Sequence, residues 1–436
     1  MGKETALIIG GGMTGLAAGL VSGLSVFEGE NVPGGICSSY YMRPDGKKRL
    51  YESPDDGEAY RFEIGGGHWI FGGDPAVLEF IRRTVEVKSY SRKSAVYFPK
   101  TGLFVPYPIQ NNLAYLGKAV ASRAIEEILS APKGTPKTMA DWLEQSFGKT
   151  LMELFFAPFH ELYTAGMWIE IAPQDAYKSP VKVSQAIRGA FGETDPVGYN
   201  VTYIYPVEGL NTLAGRMAKR SNINYGKLVS DIDTNKNEIH FSNGSGEKYE
   251  KLISTLPLTK VIEMTGLEVD ERPDCYTSVL VLNIGAKRGP RCPDEHWLYI
   301  PQSDSKFHRV GIYSNVDVSF LPFSSRKEND RVSIYVERSF KGGEKPSSEQ
   351  IESYSRDVVK ELISWGFIVE PEIVDPTWIE VAYTWSWGDS KWREASLSTL
   401  QESNIFQVGR YGRWIFQGIA DSIKDGFYVG AAVGKS

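Results

Sequence analysis

Three glycines and one glutamate carry the first recognisable chemistry of this sequence. In "ALIIGGGMTGLAAGLVSGLSVFEGENVPGG" (6–35), Gly10, Gly12 and Gly15 supply G-x-G-x-x-G directly after an apolar run, and Glu28 ends a second apolar stretch, "LSVFE". That spacing suits a dinucleotide. The first glycine makes a tight turn, the second lets backbone approach a pyrophosphate and the third lets helix and strand pack closely. The phosphates then meet unpaired N–H groups where Met13 and Thr14 open a helix. Glu28 falls near the spacing, about 20 residues on, of the acid that holds the ribose hydroxyls. Any glycine-rich turn before a helix can match this pattern, so the surrounding elements must support it.

Those elements alternate in type. The crossover helix fits between Thr14 and about Ser22, roughly two turns. "AYRFEIGGGHWIF" (59–71) reads as a strand entering a glycine turn, and 75–195 as largely helical, with helical apolar spacing in "AVLEFIRRTV" and "NNLAYLGKAVASRAIEEILS". Thr138 with Asp141 marks a helix start. Strands return from 199, with a hairpin turn near Asn235 to Asn237, and an antiparallel sheet is predicted up to about 340. "KGGEKPSSEQ" (341–350) reads as a loose loop, and the end as a strand, a glycine turn and a helix. The predicted fold is α/β. A Rossmann-like dinucleotide domain is assembled from 1–74, 199–262 and 395–436, with a mainly helical insertion (75–198) and an antiparallel-sheet insertion (263–394) on the substrate side.

Composition excludes other classes. The 436 residues are 42% hydrophobic, enough for more than one core, and a net charge of −6 offers no basic surface to nucleic acid or anionic lipid. Three scattered cysteines form neither a disulfide framework nor a C-x-x-C pair, which predicts a reduced, cytoplasmic setting. Glycines interrupt the apolar N-terminal stretch, so neither a signal peptide nor a membrane span is expected. Histidines and carboxylates show no metal-ligand spacing.

"VPGGICSS" (32–39), with its doublet Gly34 and Gly35, resembles the second glycine motif of flavoproteins in the amine oxidase and protoporphyrinogen oxidase superfamily, with Val32 where an Arg often stands. "GRYGRWIFQGIADS" (409–422) is similar to the segment that closes over the isoalloxazine in those proteins. Four stretches resemble, more narrowly, the UDP-galactopyranose mutases of eukaryotic type: "GGGHWIF" (65–71), "VPYPIQNNL" (105–113), "HWLYIPQSDSKFHRVGIYSN" (296–315) and "GRYGRW" (409–414).

The resemblance implies FAD, active when reduced, and a nucleotide-diphosphate sugar as substrate. In that family the flavin N5 attacks the anomeric carbon and displaces the diphosphate, and the ring recloses through another hydroxyl, so that pyranose and furanose interconvert. NAD(P)H or another reductant would keep the flavin reduced. Arg309 would hold the diphosphate, because a guanidinium can grip two phosphate oxygens. Tyr299 and Tyr383 match phosphate-binding tyrosines, with a buried core place as the alternative. His68 matches the family histidine beside the flavin, although a His after glycines can also cap a turn. For a second diphosphate cation, "DAYKSPVKVSQAIRG" offers Lys182 first, then Lys178 and Arg188, and Phe416 stands where another Tyr is common. Tyr107 and Gln110 match residues facing the base, with Ile109 in place of an aromatic, and Asn200 matches one near the substrate. Gly66, Gly67, Val229, Arg410, Asp421 and Ser422 match contacts to FAD, Asp421 opening a helix that faces the flavin.

Two other readings stay open. The same scaffold hosts oxidases and desaturases that take hydride, and these favour apolar channels or aromatic cages over cationic clamps. An FAD-stabilised binding protein without turnover is the third.

Overall fold

The computed structural model describes residues 5–44, 46–132, 134–174, 182–193 and 201–434. Five strands drawn from distant parts of the chain form one parallel sheet, in the order Ile405–Gln407, Lys251–Ser254, Ala6–Ile9, Ser25–Phe27 and Asn222–Asn224. Ile8, Val26 and Ile253 are buried, as expected where helices or loops cover both faces of a parallel sheet. The central strand runs into Gly10 to Gly12, and the helix Met13–Ser22 starts there. At 10 residues the helix approaches three turns, a little longer than its apolar spacing predicts. It touches its surroundings through missing side chains. A Cβ on Gly15 would stand 1.9 Å from the Gly10 carbonyl oxygen, and Cβ atoms on Gly426 and Gly430 would stand 2.3 and 2.5 Å from the carbonyl oxygens of Thr14 and Ala18. The helix Ile419–Val433 can therefore lie directly on the first one and bring both N-termini to the same end of the sheet.

The second layer is a seven-stranded sheet in the order Ile368–Thr384, Tyr276–Arg288, Arg331–Lys341, Arg309–Ile312, Trp297–Tyr299, Ser94–Phe98 and Leu103–Pro106. Every pair is antiparallel except Trp297–Tyr299 with Ser94–Phe98, so the sheet is mixed. The last two strands correct the reading of 75–195 as largely helical. "SAVYF" and "LFVP" are β-branched and aromatic runs too short for a helix, and here they extend the sheet edge. The stretch after 341 is also more ordered than a loose loop, because Ser347 caps the helix Ser348–Trp365 through a reciprocal pair with Gln350.

The helical part packs against this edge. Thr138 and Asp141 form the expected capping box at the start of Met139–Leu151. The chain continues through a π-helical stretch, Met152–Phe156, into Ala157–Tyr163. Such a bulge places one extra residue in the turn and rotates the following side chains, a device frequent at functional sites. The expected hairpin near 235–237 joins Val229–Asp233 to Glu238–Phe241, with Asn237 at φ 51°.

Candidate active site

Between the two sheets lies a cavity of about 1160 Å³. The glycine turns form one part of its wall. Gly34 N–H donates to the Gly11 carbonyl at 2.9 Å, which clips the second glycine motif onto the first. Gly34 and Gly35 have φ of 103° and 57°, conformations that suit glycine. A Cβ on Gly12 would meet nothing within 4 Å and would project into the cavity, where a ligand backbone has room to approach. Gly12 gives the first helix no side-chain cap, so the first-turn N–H groups remain available to an anion. Glu28 also lines this part, its carboxylate fixed by the N–H groups of Gly11 at 2.6 Å and Glu30 at 2.9 Å. Burial raises its pKa above the usual carboxylate value despite those contacts.

Another part of the wall is cationic and phenolic. Tyr299 and Arg309 are directly paired on neighbouring strands, and the Arg309 guanidinium carbon lies 5.6 Å from the Tyr299 ring centre. Tyr383 is the penultimate residue of the outermost strand, with the Arg410 guanidinium carbon 5.9 Å from its ring. Met13, Thr14, Gly10, Gly67 and His68 line the same cavity, as do Asp421 and Ser422 from the first turn of Ile419–Val433. The cavity thus joins the glycine turns and Glu28 to a region of arginines and tyrosines. Glycine turns at a helix start with an acid beyond them suit a dinucleotide.

A family model described as flavin containing amine oxidoreductase matches residues 16–434. The chain belongs to that family. A crystal structure of reduced UDP-galactopyranose mutase superposes with a TM-score of 0.84 at 21% identity, over 99% of this chain and 96% of that one. Putrescine oxidase bound to putrescine matches with a TM-score of 0.58 at 15% identity, covering 99% of each chain. A CLA-producing fatty acid isomerase from P. acnes matches with a TM-score of 0.60 at 14% identity, covering 99% of this chain and 98% of that one. These likenesses establish an amine oxidase-type flavin fold with the architecture of the mutases. Since the fold carries isomerases and an oxidase alike, the reaction must be argued from side chains.

The side chain that organises this flavoprotein's cationic region was not singled out from sequence. Glu337, 3% exposed, accepts from Tyr383 Oη at 3.5 Å and stands 3.3 Å from Arg309 Nη1 and 3.5 Å from His308 Nε2. Burial alone would raise its pKa, but Arg309 and then His308 outweigh that and hold the carboxyl below the usual range. Arg309 is in turn held protonated, since Glu337 overrides the effect of burial. Its Nε is buried with no acceptor, so the donors of this guanidinium are only partly used. The glycine loop rests on the same strand: a Cβ on Gly66 would lie 2.8 Å from Glu337 Oε1, and one on Gly67 would lie 2.1 Å from Tyr335 Oη. Gly66 therefore backs the loop and does not line the cavity. His68 folds its Nδ1 to within 3.3 Å of the Gly66 carbonyl oxygen, and burial lowers its pKa, so the ring is neutral.

Several expected residues lie elsewhere. Lys182 is the exposed residue before the helix Val183–Ala190 and is not on the cavity wall. The reason is packing: Gly189 lies against Asn111 and Ala186 is buried in the apolar cluster of the helical part, which turns the opposite side outward, and Arg188 lies 3.7 Å from Glu193. Lys178 and Asn200 lie outside the described residues. Gln110 is fully buried in the 3-10 turn Ile109–Asn111, behind Tyr107, which does reach the wall. Ile109 is buried with it and presents no face to a base. The Val229 side chain packs with Phe27 and Phe241 and is absent from the wall, because it opens a strand whose inner face is core. Gly15 serves helix packing and makes no part of the cavity surface.

Two features went unread. Arg92 reaches the cavity beside Tyr107, its Nη2 3.4 Å from the Tyr107 carbonyl oxygen, and nothing in "SYSRK" announces it. The second is an aromatic lobe from the helical part, with Trp142, Phe155, Phe159 and Tyr163 on the wall. Tyr163 meets Tyr383 at 4.9 Å and Phe159 meets Tyr299 at 5.6 Å between ring centres, so the lobe adjoins the arginine region. The crowded aromatics of "FFAPFHELY" were its signal. His160 lines it too, with Nδ1 2.7 Å from the Phe156 carbonyl oxygen, and burial lowers its pKa to about 4.

Proposed function

We propose that the chain is an FAD-dependent mutase that interconverts the pyranose and furanose forms of a nucleotide-diphosphate sugar. The observation that carries this reading is Arg309, half engaged by Glu337 and flanked by Tyr299 and Tyr383, in the cavity that also holds the glycine cradle. When bound and reduced, for instance by NAD(P)H, FAD supplies the nucleophile for the anomeric carbon.

The remaining work belongs to the protein. Leaving of the diphosphate builds negative charge, and Arg309 can keep Nη1 on Glu337 while it offers its other donors to phosphate oxygens. Because Glu337 neutralises the guanidinium beforehand, the empty pair stores little uncompensated charge, and the developing anion competes for an arginine already in place. The hydroxyls of Tyr299 and Tyr383 can donate to the same oxygens, and burial raises the Tyr383 pKa above the ordinary phenol value. Arg92 beside Tyr107 supplies the second cation that the sequence left to Lys182, at the nucleotide end. The aromatic lobe gives the base or sugar a face to stack on and excludes water from the reacting carbon. The neutral His160 donates Nδ1–H to the Phe156 carbonyl, which leaves Nε2 as an acceptor for a base N–H. On the same reading the 75–198 and 263–394 insertions frame the substrate.

That aromatic lobe also favours a second reading, a flavin oxidase that takes hydride from a C–N or C–C bond. Turnover stoichiometry separates the two. Reduced protein given a panel of nucleotide sugars should convert pyranose to furanose while consuming no reductant. Product formed one-for-one with oxygen or NAD(P)H consumption would replace the mutase by the oxidase.

A further inference from the structure

Strand Arg331–Lys341 has two working faces. Tyr335 and Glu337 line the flavin cavity, and the two-residue period of a strand turns Val336, Arg338 and Phe340 to the other side. There Val336 packs with Val358 and Leu362 of the helix Ser348–Trp365. Further along the same face Arg338, Phe340 and Tyr354 wall a separate cavity of about 960 Å³, within the size range of small-molecule sites, about 300–1,000 Å³.

The Arg338 guanidinium carbon lies 4.7 Å from the Phe340 ring centre and 5.0 Å from that of Tyr354. Among the described residues it has no hydrogen-bond acceptor and no carboxylate within ion-pair distance. The Tyr354 hydroxyl is likewise buried with no partner. The other charges around the cavity are unequally free. Glu361 already accepts from Ser303 Oγ and from the N–H groups of Asp304 and Ser305, and Lys360 pairs with Asp357 at 3.5 Å. Arg338, Lys306 and Lys345 remain, against Asp304, Glu344 and the hydrogen-bonded Glu361, so among the described residues the wall is balanced in charge and Arg338 is the cation whose donors are unanswered within it. A half-buried guanidinium set close to two rings, with no protein acceptor for its donors, has lost part of its hydration without gaining an anion.

We propose that this cavity is a second anion site, which binds the phosphoryl group of a small phosphate monoester, or free phosphate, on Arg338. A guanidinium fork matches two phosphate oxygens, and the buried, unpartnered Tyr354 hydroxyl beside it adds a further donor. The site is independent of what the flavin cavity does.

Equilibrium dialysis of the FAD-loaded protein against labelled inorganic phosphate, at fixed ionic strength, tests it. Arg338→Met keeps an apolar stem between Phe340 and Tyr354 and removes the donors, while Arg309→Met controls for phosphate held in the flavin cavity. Wild type and the Arg309 variant should share a phosphate site that weakens at least tenfold in the Arg338 variant. Unchanged binding in Arg338→Met, or a loss seen only in Arg309→Met, would overturn the proposal. Should Arg338→Met fail to fold, the exposed pair Lys306→Gln with Lys345→Gln must weaken phosphate severalfold, and an unchanged affinity there refutes the site equally. Displacement by phenyl phosphate, tighter or weaker than inorganic phosphate, distinguishes an ester from the free ion.

Discussion

Replacing Arg309 by alanine strands a buried carboxylate, and the cost can be worked from its contacts. Glu337 has a 4% exposed side chain; without Arg309 its polar side-chain neighbours among the described residues are His308 Nε2 and Tyr383 Oη, both at 3.5 Å. Breaking a buried pair from one side costs about 3–5 kcal/mol, because the surviving charge stays desolvated. The Arg309 side chain is 21% exposed, so water entering its place favours the lower end of that range. The penalty has a sign in pH. In the wild type the Glu337 pKa is depressed, so its contribution is present above the unfolded carboxyl value and is lost as pH falls through the folded one. In the variant, burial dominates and the folded pKa rises above the ordinary value. The deficit should then be full at pH 8 and shrink toward pH 5 as Glu337 takes up a proton. Urea unfolding of FAD-loaded wild type and variant at both pH values measures it, and the double variant Arg309→Met, Glu337→Gln should recover most of the loss, since no charge is stranded. An Arg309→Ala protein as stable as wild type at pH 8, or a deficit equal at both pH values, would refute this account of the pair.

Gly12→Ala and Gly15→Ala should fail in different ways. The first leaves the apoprotein melting temperature nearly unchanged and abolishes the yellow FAD complex, while the second lowers the melting temperature itself; absorbance after reconstitution and apoprotein melting check both. His160 should stay neutral from pH 5 to 8, its nitrogen NMR shifts constant, and a titration midpoint near the ordinary histidine value would contradict its burial. Because its folded pKa is lowered, its share of the stability is present at neutral pH and falls as pH drops below the unfolded value. Thr138→Ala should cost about 0.5–2 kcal/mol in urea unfolding through loss of the helix cap.

What the sequence determined by itself is local and periodic. The glycine turns, the helix they open, the capping box at Thr138 and the hairpin at Asn237 each depend on residues a few positions apart, where steric and hydrogen-bond demands are read directly from side-chain type. Glu28 was legible for the same reason, as part of one short βαβ unit, whereas Gly34 and Gly35 were read through the resemblance of "VPGGICSS" to a flavoprotein motif. The tertiary structure decided the rest. Ser94–Phe98 became strand and not helix because a partner edge at Trp297–Tyr299 was there to take its hydrogen bonds. Lys182 turned outward because Gly189 packs against Asn111, a contact across more than seventy residues, and Ala186 is buried beside it. Glu337 has no neighbour in sequence that marks it; its meaning comes from Arg309 on the adjacent strand and Tyr383 at the sheet edge, groups that only the register of a folded sheet brings within reach of one carboxylate in a medium that screens them weakly.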